Sequence, residues 1–397
     1  MQPALDFKPA IEVVPAISAQ VLAELRGDRL PLLIDLRSEG EFAQDHLPLA
    51  HNLALFDDDE RALVGHLYVR HSPEEALREG RAIVLAKIDD LVARIGALAG
   101  WEGGDESSRE RVRAWTAGGI VHLERELGIV EIDALREGAV VLCCQRGGMR
   151  SRAVAALLRS LGHAQVVIVA GGYRAWRRAL LASLETWRAP PAYVLRGLTG
   201  VGKTLVLRAI ERLRPHATID LEAAAGHRSS LLGMVGLEPC SQKVFEGRLH
   251  ARTRRPFGSA VVLEGESRKV GDAIIPRTLW SALDGGTDIE LHASRERRVQ
   301  VLMQDYLASP TSRPRLRAQL AEVARRMRPR CPLVELFDGG RERELVLLLL
   351  EHYYDPLYRH SERGRAHALS VDASDPVRAA DEIVSWIEER AGPLEPA

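Results

Sequence analysis

Cysteine is scarce in this chain of 397 residues, and long hydrophobic segments are missing from it. The four cysteines are Cys143, Cys144, Cys240 and Cys331. They are too few for a disulfide scaffold, and none has the C-x-x-C spacing with histidines of a zinc site, so a reducing compartment is expected. The N-terminal residues lack a signal-peptide hydrophobic region, and the apolar run at residues 345–350 is too short for a bilayer. We therefore expect a cytoplasmic protein that makes no membrane contact.

Neither sign of charge is in excess, because 54 lysines and arginines are balanced by 55 aspartates and glutamates, for a formal net charge of −1. Whole-molecule charge therefore gives no attraction to nucleic acid, and any such contact has to come from local basic patches. Hydrophobic residues, at 46%, are enough to form sizeable cores. The length of the chain predicts two or three domains.

The most specific motif is a phosphate-binding loop of the form G-x-x-x-x-G-K-[ST] at residues 197–204. Strand-forming residues precede it and apolar residues at helical spacing follow it, as this motif requires. Gly197 and Gly202 let the backbone bring its N–H groups close to an anion, and the following helix adds the positive end of its dipole. Lys203 supplies a cation for the terminal phosphate, and Thr204 supplies a hydroxyl for Mg²⁺. This half of the chain is predicted to bind a phosphorylated ligand.

A second candidate site is a thiol on a loop in the N-terminal half. Residues 139–142 form a predicted strand, Cys143 and Cys144 follow it, and a glycine-rich turn then leads into a helix. Amides and the helix dipole at such a turn stabilise a thiolate, so Cys144 is the predicted nucleophile, assisted by Arg146 and Arg150. Cys143 closes the strand and is expected to point the other way, so it is interpreted as structural.

Strands that alternate with helices predict α/β domains with parallel sheets. The boundary is expected at an Ala-Pro-Pro linker, which gives domains 1–188 and 189–397. About a hundred residues separate the polar turn at residues 35–38 from the thiol loop, which is too long for a plain connection. A helical insertion is therefore expected there, with helices over residues 73–100 and 109–128.

In the C-terminal domain, an apolar strand at residues 260–263 ends in the acids Glu264 and Glu266. A P-loop protein places at this point the carboxylate that orders Mg²⁺, and plain solvated acids are the alternative. From about residue 294 onward the chain is predicted to be mostly helical and is rich in arginine. These arginines form either a footprint for a phosphate backbone or solvated helix faces paired with nearby acids.

Motifs in both halves resemble known domains. The N-terminal half is similar to a rhodanese domain in three features: residues 35–38 (Asp-Leu-Arg-Ser), the loop from Cys144 to Arg150 and Ser151, and Gly171-Gly172 followed by Trp176. The chain as a whole, from Asp35 to Tyr358, resembles bacterial tRNA 2-selenouridine synthases. The further residues that carry this resemblance are His227, Arg228 and Ser229, then Ser241, Gln242, Phe245 and Glu246, then Glu264, Glu266, Ser267 and Arg268, and finally Tyr353, Tyr354, Asp355 and Pro356.

The resemblance implies an α/β fold in which a rhodanese-like domain with a helical insertion precedes a P-loop NTPase-like α/β domain with a helical C-terminal part. It implies a transferase that replaces the sulfur of wobble 2-thiouridine in tRNA by selenium from selenophosphate. The implied intermediate is S-geranyl-2-thiouridine, made from geranyl diphosphate, and a selenophosphate-supplying enzyme is a further implied partner.

The same resemblance assigns roles to residues. Cys144, Arg146 and Arg150 would handle the selenium step or bind selenophosphate. Thr204 and Glu264 would hold Mg²⁺. The residues implied to bind the diphosphate are Gly197, Gly200, Gly202, Lys203 and Thr204. The residues implied to support that site are Glu264, Glu266, Arg268, His227 and Arg228.

Two other functions stay open on the sequence. One is an ATP-dependent sulfurtransferase or kinase fused to a sulfur-carrier rhodanese domain, with no tRNA substrate. The other is a rhodanese-like phosphatase, because five residues separate Cys144 from Arg150 where common single-domain rhodaneses have four. A kinase would consume ATP and a phosphatase would release phosphate from an aryl phosphate. A tRNA enzyme would bind tRNA in a salt-sensitive manner.

Overall fold

The protein is described by a computed structural model, which covers residues 13–25, 30–101, 127–230, 232–307, 312–327, 331–357 and 366–396. The chain divides into two compact units, one up to Ala182 and one from Ser183 onward. We call them the N-terminal unit and the C-terminal unit. The Ala-Pro-Pro linker predicted from the sequence lies in an irregular segment, residues 187–191, just after this division.

The N-terminal unit contains a six-stranded sheet with the strand order β3-β2-β5-β6-β1-β4. Every pairing in it is parallel. Its central strands β5 and β6 are buried along their whole length and consist only of apolar residues, which is typical of a sheet covered on both faces. The strands are β1 (Val13–Ile17), β2 (Leu32–Asp35), β3 (His51–Asn52), β4 (Gly128–Ile132), β5 (Val140–Cys143) and β6 (Val166–Val169).

Helices cover this sheet and also form the predicted insertion. The helices that begin in this unit are α1 (Ala19–Glu24), α2 (Glu39–Gln44), α3 (Asp58–Arg70), α4 (Pro73–Ala99), α5 (Met149–Ser160) and α6 (Gly172–Thr186), the last of which continues past the division at Ala182. The insertion between β3 and β4 is confirmed by α3 and α4. Helix α3 begins with a capping box between Asp57 and Glu60, and α4 begins at a Ser72 cap with proline in its first turn. The sequence predicts a further helix over residues 109–128. Residues 109–126 lie outside the described residues, and Gly128 is the first residue of strand β4 rather than part of a helix.

The C-terminal unit contains a five-stranded parallel sheet with the order β13-β12-β7-β9-β8. These strands are β7 (Ala192–Arg196), β8 (Thr218–Ile219), β9 (Val261–Glu264), β12 (Thr287–His292) and β13 (Leu369–Asp372), and a separate hairpin joins β10 (Lys269–Val270) to β11 (Ala273–Ile274). The P-loop motif connects β7, in the middle of the sheet, to the first helix of this unit, so the sheet places it at the carboxyl edge where ligands bind in such folds.

Nine helices accompany this sheet in the described ranges, and four of them build the predicted helical part between β12 and β13. They are α7 (Lys203–Leu213), α8 (Leu221–Ala225), α9 (Gln242–Thr253), α10 (Arg277–Asp284), α11 (Arg295–Leu307), α12 (Arg313–Arg326), α13 (Leu333–Asp338), α14 (Glu342–Leu349) and α15 (Pro376–Ala391). A π-helical turn, Leu350–Tyr354, extends α14. The helical part has its own apolar core, around residues such as Leu320, Leu345 and Tyr354.

One buried ion pair holds the segment after β2. Asp35 is fully buried, and it accepts hydrogen bonds from the Arg37 guanidinium at 2.7 and 3.0 Å. Arg37 is 2% exposed, donates also to the carbonyl oxygen of Asp45 at 2.7 Å, and lies over the Tyr173 ring. The pair therefore ties the loop after β2 to the helix that follows β6.

We predict that Arg37→Ala lowers the free energy of opening of the N-terminal unit by about 3–5 kcal/mol, because it leaves the Asp35 carboxylate buried and unpaired. Hydrogen exchange followed by mass spectrometry on peptides from β2 and β5 measures this for the full chain. Arg61→Ala is the matched control. Arg61 is 45% exposed and lies 3.8 Å from Glu41, so its loss is expected to cost less than about 1 kcal/mol. Equal effects of the two changes would contradict the assignment.

Candidate functional sites on two parallel sheets

The thiol loop leaves the centre of the N-terminal sheet. Strand β5 ends at Cys143, Cys144 opens the loop, and α5 begins at Met149. The Oγ of Ser151, in the first turn of α5, lies 3.1 Å from the Cys144 Sγ. The predicted nucleophile is thus held by a hydroxyl at the N-terminus of a helix, where the dipole favours an anion.

The turn at the start of α6 supports the thiol loop through two backbone hydrogen bonds. The backbone N–H of Tyr173 donates to the Cys144 carbonyl at 2.9 Å, and that of Arg174 donates to the Gln145 carbonyl at 3.1 Å. Gly172 has a φ of 62°, and a Cβ there would collide with the Cys144 carbonyl oxygen. Only glycine therefore allows the two loops to lie this close, which explains the Gly171-Gly172 pair seen in the sequence.

The predicted residues of the thiol loop occupy different environments. Cys144 is 3% exposed, and Arg146 is exposed. Arg150 Nη1 lies 3.5 Å from the Glu41 carboxylate, and it is a buried donor with no hydrogen-bond partner among the described residues. Such a donor is available to an oxyanion bound at the loop. Cys143 is buried beside Asp35, and burial raises its pKa well above the usual thiol value, which suits the structural role predicted for it.

The P-loop of the C-terminal unit has the predicted geometry. Gly197, Gly200 and Gly202 all have positive φ angles, of 140°, 79° and 95°. A Cβ at Gly197 would collide with the carbonyl oxygen of Leu291 on the neighbouring strand, so this turn has room only for glycine. Lys203 Nζ donates to the Gly197 carbonyl at 3.0 Å, which bends the lysine back over the loop toward an anion site.

A pair of residues far along the chain supports this loop. Arg298 is 6% exposed, and its Nε donates to the Thr199 carbonyl at 2.9 Å. Asp355 accepts from the Nη2 of the same guanidinium at 2.5 Å. Asp355 belongs to the Tyr-Tyr-Asp-Pro segment, whose role the sequence analysis did not assign. It positions Arg298, and through Arg298 the backbone of the phosphate-binding loop.

Three carboxylates meet at the first turn of α7. Glu222, Glu264 and Glu266 place oxygens within 4.8 Å of one another. The Thr204 Oγ1 lies 3.1 Å from Glu222 and 3.0 Å from Glu264, and the Glu222 N–H donates to Glu264 at 3.1 Å. A hydroxyl has one proton to donate, so Thr204 cannot satisfy two carboxylates at once. The second contact needs either a proton on a carboxyl group or a cation shared between the groups.

The electrostatics of the carboxylate cluster also indicate that it holds a proton or a cation. Burial raises the pKa of Glu222 to about 8, and the neighbouring charge of Glu266 adds to the shift. Burial and the neighbouring carboxylates also raise the pKa values of Glu264, which is fully buried, and Glu266. An all-oxygen set of hydroxyl and carboxylates is the chemistry that Mg²⁺ prefers, so the residues fit this ion. Glu222, which the sequence analysis did not select, joins the predicted Thr204 and Glu264.

A cavity of about 350 Å³ opens over the P-loop. Its lining combines the loop, the cluster residues Glu222 and Glu266, and a polar wall of Arg228, Asp305 and Tyr306. Arg228 donates to the Val235 carbonyl at 2.7 Å and lies 3.9 Å from Asp305. The predicted supporting residue Arg228 therefore reaches the ligand space.

Three of the five predicted supporting residues do not line this cavity: Glu264, which lies beneath it in contact with Thr204, and His227 and Arg268. His227 is buried next to Arg228, and burial lowers its pKa. Arg268 is exposed and lies 5.8 Å from the Trp280 ring. The structure thus brings Glu266 and Arg228 together with the P-loop, and it places His227 and Arg268 outside the cavity lining.

The arginines beyond residue 294 are largely paired with acids where the structure describes them. Arg295 binds Glu351, Arg313 binds Glu342 and Arg317 binds Asp338, and the distances are 2.6, 2.7 and 2.7 Å. Arg325 and Arg326 contact Glu322. Of the two alternatives left open by the sequence, these contacts favour helix faces neutralised by nearby acids.

A buried thiol loop on one parallel sheet and a P-loop with a carboxylate cluster on another define the class: a rhodanese-type domain fused to a P-loop domain. Among the helices of the described ranges, none has the length and apolar character needed to cross a bilayer.

Comparison with known proteins gives the family. The rhodanese-like domain family matches residues 120–179, and the tRNA 2-selenouridine synthase AAA domain matches residues 190–328. The tRNA 2-selenouridine synthase of Alcanivorax borkumensis is 31% identical over 86% of this chain and 92% of its own length. The synthase of Chromohalobacter salexigens is 30% identical over 85% of this chain and 90% of its own length. The synthase of Hydrogenovibrio crunogenus is 28% identical over 82% of this chain and 88% of its own length. The chain belongs to the tRNA 2-selenouridine synthase family, and it is a transferase.

We predict that the C-terminal unit, in the presence of a chelator, loses stability as the pH rises from about 5 to about 8. The raised carboxyl pKa values mean that the folded state binds more protons than the unfolded state in this window, so the free energy of unfolding falls as those protons are lost. Mg²⁺ favours the deprotonated cluster and should remove most of this fall.

Hydrogen exchange on peptides from β9, with chelator or with Mg²⁺, measures both effects. Glu222→Gln should weaken the dependence of stability on pH in chelator. Glu238→Gln, at an exposed glutamate of the same unit, should leave that dependence unchanged. Stability that rises with pH in chelator would contradict the account of the cluster.

Proposed function

We propose that this protein replaces the sulfur of 2-thiouridine at the wobble position of tRNA by selenium from selenophosphate, through S-geranyl-2-thiouridine made from geranyl diphosphate. The observation that supports this best is that one chain of this family holds two different sites. One is a P-loop with a cluster of three carboxylates, and the other is a thiol loop with a buried arginine donor that makes no hydrogen bond among the described residues. tRNA, selenophosphate, geranyl diphosphate and a selenophosphate-supplying enzyme are the proposed partners, and the cytoplasm is the proposed location.

The alkylation step belongs to the C-terminal unit in this proposal. The P-loop amides and Lys203 hold the diphosphate of geranyl diphosphate, and Arg228 lies in the same cavity. The thiocarbonyl sulfur attacks the first carbon of the geranyl group, the C–S bond forms, and the C–O bond to diphosphate breaks. The diphosphate leaves with the electron pair, and the nucleoside N–H proton goes to solvent. Thr204, Glu222 and Glu264 would hold Mg²⁺, which would supply positive charge to neutralise the leaving diphosphate.

The selenium step belongs to the N-terminal unit. Selenium in selenophosphate is already at the oxidation level of selenide, so loading it onto the Cys144 sulfur as a perselenide would need an oxidant. Attack of the Cys144 thiolate on phosphorus needs none. The S–P bond forms, the P–Se bond breaks and hydroselenide leaves, while the Arg150 guanidinium stabilises the phosphoryl oxygens. Water then hydrolyses the phosphocysteine to orthophosphate and the free thiol.

Hydroselenide completes the exchange. It attacks the C2 carbon of the S-geranylated nucleoside, so that the C–Se bond forms and the C–S bond breaks. Geranyl thiolate leaves and takes up a proton, and the proton of the hydroselenide passes to the ring nitrogen. Alkylation makes sense in this scheme because it converts a poor leaving group into a good one.

We predict that Cys144→Ser abolishes formation of 2-selenouridine and keeps geranylation, because only the selenium step uses the thiol. Lys203→Ala should lower geranylation by about 100-fold or more, the loss typical for a removed charge-stabilising donor, while selenium exchange on tRNA that already carries S-geranyl-2-thiouridine continues. Nucleoside analysis by mass spectrometry after digestion of the tRNA measures both products.

Cys143→Ala and Lys243→Ala are the matched controls, since the first changes the neighbouring buried thiol and the second an exposed lysine of the same unit. Both are expected to keep both reactions. A Cys144→Ser enzyme that still makes 2-selenouridine but no longer geranylates would overturn the division of labour.

A further inference from the structure

The N-terminal unit contains a cavity that none of the steps above uses. It has a volume of about 350 Å³ and lies among helices α3 and α4 of the insertion and the first turns of α5. Residues from all three helices line it, among them Val64 of α3, Ala76, Leu77 and Val84 of α4, and Ala153 of α5. The insertion, which a plain rhodanese sheet does not require, therefore builds most of its wall.

The lining selects an apolar ligand. Aliphatic and aromatic side chains and small residues make up most of the wall, and Glu74, Arg81 and Arg150 are its charged members. A cavity of this size and composition suits a flexible hydrocarbon chain with a polar group at one end. The cavity over the P-loop differs from it, because loop amides, Lys203, Arg228, Asp305 and two glutamates line that one.

The wall of this cavity is continuous with the thiol loop. Met149 and Arg150 line the cavity, and Ser151, the next residue, contacts the Cys144 Sγ at 3.1 Å. Arg150 thus belongs both to the cavity wall and to the thiol loop, where its buried Nη1 lies 3.5 Å from Glu41 and makes no hydrogen bond among the described residues. An apolar chain in the cavity would therefore have its polar end directed to the helix turn that carries the selenium chemistry.

We propose that this cavity binds the isoprenoid chain of the S-geranylated nucleoside during the selenium step. The inference rests on the proposed function, which supplies one ligand with an apolar chain joined to the reacting sulfur. In this arrangement the chain anchors the modified nucleotide beside Cys144, so that hydroselenide is released next to its target carbon. Unmodified 2-thiouridine has no such anchor, which makes the alkyl group a specificity element as well as a leaving group.

Two substitutions test the cavity without touching the loop. Ala76→Leu fills part of it, and Leu77→Glu places a carboxylate in its wall. With tRNA that already carries S-geranyl-2-thiouridine, both should lower kcat/KM for 2-selenouridine formation by about tenfold or more, because an apolar contact is lost. Geranylation of 2-thiouridine tRNA by the same variants should keep its wild-type rate. Leu85→Glu is the matched control for Leu77→Glu, since Leu85 lies on the same helix, is 41% exposed and is not in the lining.

The dependence of the rate on the length of the alkyl chain distinguishes a filled cavity from a folding defect, because a folding defect would slow the reaction with both chain lengths. On tRNA with S-dimethylallyl-2-thiouridine, whose chain is half as long, Ala76→Leu should react at close to the wild-type rate. The inference is overturned if wild type and variants react equally with both chains, or if the variants lose geranylation while selenium exchange is kept. Failure of the wild-type enzyme to convert the geranylated tRNA at all would instead refute the proposed function.

Discussion

In both units the chain has to leave a fully buried parallel strand and enter a helix within a few residues, and close backbone contact is the constraint that shapes the turn. Gly172 lies against the Cys144 carbonyl and Gly197 against the Leu291 carbonyl, in each case where a Cβ would collide. The tight turns direct backbone N–H groups and a helix N-terminus at the space above the sheet edge. A phosphoryl group is the ligand that suits such a place, and the proposed chemistry puts one in each unit.

Charge distinguishes the two sites. The P-loop is opposed by three carboxylates, two of them buried, and their raised pKa values and the single proton of Thr204 leave a need for a shared proton or a cation. The thiol loop instead has a buried cationic donor, Arg150 Nη1, which lies 3.5 Å from the Glu41 carboxylate and makes no hydrogen bond among the described residues. The first site suits departure of a diphosphate assisted by a metal ion. The second suits a thiolate that receives a phosphoryl group.

Local patterns in the sequence predicted the parts of the fold and sites that local rules govern. The P-loop follows from eight contiguous residues, and the thiol loop from a strand, a cysteine and a glycine turn. Glu222 was missed because it meets Glu264 only through the pairing of β8 with β9, which places their carboxyl ends side by side. Asp355 binds Arg298, which in turn binds the Thr199 carbonyl. More than a hundred residues of sequence separate Asp355 from Thr199, so no local sequence pattern predicts this contact. Strands β1 and β4, which pair with each other at one side of the N-terminal sheet, and the cavity formed by three helices likewise depend on long-range packing.

In the proposed mechanism, one protein alkylates and then selenates the same nucleoside. The most direct test incubates purified protein with 2-thiouridine-containing tRNA, geranyl diphosphate and Mg²⁺, with or without selenophosphate, and analyses the nucleosides by mass spectrometry. We expect S-geranyl-2-thiouridine without selenophosphate and 2-selenouridine with it. Unchanged tRNA, with ATP consumed when it is supplied, would contradict the account and favour a kinase or an ATP-dependent sulfurtransferase.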